Sequence, residues 1–69
     1  MNLSDETKLF IERSVKRFYV KAIEAGAVIS PVTDIGMNLY KVSVGNMELT
    51  YMGTVEGTAK VIASSGNIF

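Results

Sequence analysis

The chain has 69 residues, with seven basic and seven acidic side chains and no cysteine, histidine or tryptophan. Disulfides, thiolate and imidazole metal sites, and every catalytic arrangement built on histidine or cysteine are thereby excluded. A formal net charge of zero gives no global attraction to nucleic acid or to an anionic membrane.

At this length residues 1–69 are expected to form one small domain around one core. Such a chain buries only roughly 60% of the surface its unfolded form exposes. Hydrophobic residues nevertheless make up 48% of it. That load predicts apolar surface left over after folding, and hence a homo-oligomer, most simply a homodimer. No apolar run approaches the roughly 20 residues a membrane span requires. Asp5 and Glu6 stand where a secretory signal carries positive charge, so a cytoplasmic location is expected.

The first predicted element is a long helix from Ser4 to Ala25. Ser4 is a suitable N-cap, Asp5 and Glu6 suit the positive end of the helix dipole, and Gly26 stands at the C-cap position. Ile11, Val15, Phe18, Ala22 and Ala25 alternate four- and three-residue steps and form an apolar stripe, which places Phe18 in the core. Arg13, Lys16, Arg17 and Lys21 form a basic ridge on the other face, with Glu12 one turn before Lys16 to neutralise part of it. Such a ridge can bind phosphates, with Tyr19 as a stacking platform, or serve as a solvated face.

After Gly26 the period changes. Ala27–Ile29 reads as a short edge strand or a return from the helix, closed by Ser30-Pro31, and 33–36 reads as a turn. Asn38–Val44 and Met47–Met52, joined by Gly45-Asn46, read as a hairpin with a two-residue primed turn. Its register pairs Val44 with Met47, Val42 with Leu49 and Tyr40 with Tyr51, all on the face the helix covers. Leu39 and Met52 fall on the polar face. Residues 54–64 fit either period, and their β-branched content and Gly57 favour a third strand over a helix. Residues 64–67 form a turn, and Phe69 is an apolar end that could fill a partner's groove.

The candidate acids Glu24, Asp34, Glu48 and Glu56 stand in no recognisable dyad. Residues 53–58 resemble a phosphate loop superficially but lack the adjacent Gly-Lys-Ser/Thr, so a glycine turn is expected. No motif indicates a catalytic residue, metal or cofactor. The expected architecture is α+β: one long N-terminal helix packed on a small antiparallel β-meander of three or four strands. The expected function is non-enzymatic binding by an adaptor, inhibitor or ligand-sequestering protein, acting as a homo-oligomer on a protein or small-ligand partner. Its candidate binding residues are Arg13, Arg17, Lys21, Tyr19 and Tyr51. A nucleic-acid-binding module using the basic helix face is the alternative, and a small enzyme relying on carboxylate, tyrosine and lysine groups is the second.

Overall fold

A helix laid across a four-stranded antiparallel sheet accounts for the structure, a computed structural model that describes residues 2–68. Helix α1 spans Leu3–Phe18, and a single helical turn, α2, spans Val20–Glu24. Strands β1 (Thr33–Gly36), β2 (Leu39–Val44), β3 (Met47–Gly53) and β4 (Ala59–Ser65) form a meander in sequence order. The α+β class and the helix-on-meander architecture are as the sequence predicts.

The helix starts at Leu3, and its cap lies two residues earlier than predicted. Asn2 is the N-cap, its side-chain oxygen accepting from the Asp5 N–H at 2.9 Å. Ser4 instead donates to the Asp34 carboxylate at 3.1 Å and accepts from the Tyr40 hydroxyl at 3.4 Å, tying the first helical turn to β1 and β2. Asp34 also accepts from the Gly36 N–H, and these two hydrogen bonds hold its carboxyl below the ordinary aspartate pKa. At the other end the predicted glycine cap is present. Gly26 has φ +107°, Ala27 N–H donates to Ala22 C=O and Gly26 N–H to Ile23 C=O, the paired bonds of a Schellman motif. The predicted continuous helix is broken at Tyr19, where φ is −113° and ψ is 27°.

The core stripe of α1 steps by four residues rather than alternating three and four. Thr7, Ile11 and Val15 are buried, and Tyr19 packs against the same cluster. The Thr7 hydroxyl is satisfied by the Leu3 carbonyl at 2.9 Å, so this buried polar group is not stranded. Phe18 sits on the neighbouring row and is 76% exposed, which overturns its expected place in the core. The row above Phe18 is Phe10 and Ser14, so a second i, i+4 stripe runs beside the buried one.

The β2–β3 hairpin has the predicted register, with Tyr40, Val42, Val44, Leu49 and Tyr51 all buried against the helix. Gly45 takes φ +59° at the first central position, the pattern of a II′ turn. Residues 33–36 are a strand, not the predicted turn. The chain reverses one step later, through Met37 and Asn38, at φ 55° and 63°. Two consecutive positive φ values define a I′ turn, and Asn38 stabilises it from outside by donating to Gly53 C=O. Residues 27–29 make only an isolated bridge, Ile29 with Val44.

The predicted strand over residues 54–64 is β4, but it begins at Ala59. Residues 54–58 form a turn in which the Thr54 hydroxyl oxygen accepts from the Glu56 and Thr58 N–H groups. An extra residue, Ile62, interrupts the β3–β4 register: Thr50 faces Ala63 and Tyr51 faces Val61. The strand runs to Ser65, through the first half of the predicted terminal turn, and Gly66 follows at φ +84°. Phe69 lies outside the described residues.

Leu49→Ala should cost about 2–5 kcal/mol, because the leucine is fully buried and its neighbours come from both the sheet and the helix. Phe18→Ala should melt close to the parent, and comparative urea unfolding measures both. Gly45→Ala is expected to destabilise strongly. Its φ is positive, and an added Cβ would collide with the Ile68 backbone carbonyl. Thermal melts should show a loss well beyond that of an ordinary surface substitution.

Candidate functional site

The helix covers the middle of the sheet and leaves its β4 side open. Between α1 and β4 lies a groove of about 460 Å³, within the roughly 300–1,000 Å³ range of ligand sites. Phe10, Ser14 and Phe18 form its helical wall, an i, i+4 row. Ala59 and Val61 form the opposite wall, Lys60 borders it at the open edge of the sheet, and Tyr19 and Tyr51 complete the lining. Val61 has Tyr51 as its register partner and so shares the helix-facing side of the sheet, yet it is 48% exposed. About half of its surface is left open.

Tyr19 and Tyr51, two of the sequence-derived candidates, are brought together here. Burial pushes the Tyr51 phenol above its ordinary pKa, and the neighbouring Tyr19 phenol adds to the shift because two phenolates would repel. The uncharged form is the one this environment favours.

Arg13 and Arg17 are also brought together, on the next helical row outward, where they border an adjoining depression with Phe10, Ser14 and Phe18. Lys21 lies beyond the break at Tyr19 and lines neither depression. The predicted basic ridge is therefore split. Lys16 pairs with Glu12 at 3.0 Å, and both border Ile29 to Val32 on the other flank of the helix. Glu12 thus neutralises Lys16, and no ion pair engages Arg13 or Arg17 among the described residues.

The groove residues that sequence reasoning missed are Phe10, Ser14, Phe18, Ala59, Lys60 and Val61. Phe10 and Phe18 carry a signal in their eight-residue spacing, which two helical steps of four bring onto one face. Ala59 and Val61 carry none, because their role depends on β4 being left uncovered. The acids Glu24, Asp34, Glu48 and Glu56 line neither depression. Among the described residues no cluster of three or more His, Cys, Asp or Glu side chains could hold a metal, and no helix is long and apolar enough to cross a membrane.

Because the Tyr51 pKa is raised in the folded state, its contribution to stability is fully present below the unfolded value near 10. It is lost as pH rises through the folded value. Urea unfolding between about pH 9 and 11 should show stability falling, and Tyr51→Phe should flatten that fall. Phenolate absorbance, unobscured by tryptophan, should show one tyrosine titrating later than an exposed one. Compared with family models, curated proteins and solved structures, the chain matches none.

Proposed function

We propose that this is a non-enzymatic binding protein, an adaptor, inhibitor or ligand-sequestering module, whose docking surface is the groove between α1 and β4. The observation that carries this reading is Phe18. A phenyl ring left 76% exposed on the wall of a concave apolar surface is out of place on a helix that works alone. Aromatic side chains in such positions are typical anchors of binding interfaces. Tyr19, partly exposed at the same groove, supports the reading by presenting an apolar ring with a polar tip, with the buried Tyr51 lining the groove beside it.

The protein acts as a homo-oligomer in this proposal, through apolar surface away from the groove. Met37 and Val55 are the most exposed large hydrophobic residues, at 93% and 88%. Both stand at the end of the sheet where Asn38 meets Gly53. The second reading, nucleic-acid binding, is supported by Arg13 and Arg17 being free of Glu12. It is the weaker one, because two arginines and Lys60 are few phosphate contacts on a chain of zero net charge.

Native mass spectrometry of the protein purified from producing cells tests the proposal. More than one copy is expected per assembly, together with a bound partner or ligand that Phe18→Ser releases. Thr50→Lys, on the outer face of the sheet, should leave that component in place. A bare monomer under all conditions would overturn the binding reading.

A further inference from the structure

We infer that the partner of the groove is an acidic, amphipathic segment of another protein, inserting large apolar side chains between α1 and β4 while its carboxylates meet Arg13 and Arg17. The inference rests on the proposed binding function and specifies the chemistry of its partner.

Charge complementarity carries it. The chain has seven cations and seven anions, so most patches of three charges drawn at random would hold both. The groove and the adjoining depression are bordered by Arg13, Arg17 and Lys60 and by no acidic residue. Glu12, the acid nearest Arg13 in sequence, is committed to Lys16 on the far flank. The two arginines stand one helical turn apart beside the aromatic row of Phe10 and Phe18. A segment lying along the groove therefore meets an apolar surface on one side and a cationic rim on the other. Arginine suits this role, because its planar fork binds a carboxylate through two hydrogen bonds.

The same asymmetry argues against a second copy as the occupant. Two copies joined through this face by a two-fold axis would each bring Arg13, Arg17 and Lys60 to one interface, with no anion to balance them. A partner must supply the negative charge. A polynucleotide supplies it too, but its charge continues past the cationic patch. There it would meet a surface that carries all seven acidic side chains against four basic ones, Lys8, Lys16, Lys21 and Lys41. A short acidic segment ends where the patch ends. The concave wall of Phe10, Phe18 and Val61 also suits inserted side chains better than the flat stacking that single strands use.

Fluorescence anisotropy on the full chain at about 0.15 M ionic strength tests this with four labelled probes. They are a short peptide of glutamates interspersed with leucine and phenylalanine, its analogue with serine at every apolar position, its analogue with lysine for glutamate, and a short oligothymidylate. The first is expected to bind at least about tenfold tighter than the other three, and to weaken as salt rises. Phe18→Ser should lose at least about tenfold of that affinity. Arg13→Glu with Arg17→Glu should lose as much and should gain affinity for the lysine peptide. All three positions lie on the surface, and circular dichroism should confirm that the variants fold like the parent. Equal binding of the serine analogue, or tighter binding of oligothymidylate, would overturn the inference in favour of a plain anion or nucleic-acid surface. A self-assembly that Phe18→Ser breaks into monomers would overturn it in favour of a second copy, and no binding of any probe would also overturn it. If the probes fail while Phe18→Ser still releases a component in native mass spectra, the binding function stands and only the acidic character of the partner falls.

Discussion

The contact of one helical row with one hairpin face is the constraint on which everything else in this protein depends. Ile11 and Val15 from α1 meet Val42, Val44 and Leu49 from the hairpin, all essentially inaccessible to solvent. With a core this small, each of these side chains holds a large share of the marginal stability of a short domain. The helix cannot rotate without losing Ile11 and Val15, and the hairpin cannot slip by one residue without turning its apolar set outward. Given that lock, the next row of the helix has nowhere to go but the flank. Phe10, Ser14 and Phe18 face β4 because Ile11 and Val15 face β2 and β3.

The polar contacts around the rim serve the same lock. Ser4, Asp34 and Tyr40 join the first turn of the helix to β1 and β2, and Asn38 fastens the β1–β2 turn to the end of β3. These bonds sit at the end of the sheet remote from Phe18. Around Phe18 the helix breaks at Tyr19, and the strand opposite carries a bulge at Ile62. The candidate site runs between these two ends, from Ala59, which pairs with Gly53 beside the Asn38 bond, to Phe18 at the helix break.

How much of this was legible in the sequence depended on how local each cause was. The hairpin register followed from a two-residue turn and strict alternation, and both are read off neighbouring residues. The Gly26 cap was equally local. Phe18 failed because a three-residue step and a four-residue step after Val15 both continue a helical stripe, and only the sheet beneath decides between them. The strand at 33–36 was hidden because its turn uses Met37 and Asn38 at positive φ, where glycine is the usual marker. Tyr19 and Tyr51 were identifiable as amphipathic rings, whereas the opposite wall of the groove arose from coverage that the helix did not provide. The basic ridge and the Glu12–Lys16 pair within it were legible at helical spacing, but that Arg13 and Arg17 border the groove while Lys21 does not is a matter of three dimensions.

The placement of the aromatic residues has an optical consequence. The chain has no tryptophan and three tyrosines. Tyr19 and Tyr51 line the groove, Tyr51 being as buried as Tyr40, whose hydroxyl is directed toward Ser4. Ultraviolet emission from the unmodified protein therefore originates largely where a partner would sit. Any occupant that displaces water from the Tyr19 phenol, or that carries a tryptophan to accept the tyrosines' excitation, would announce itself as a change in colour and intensity without a label attached.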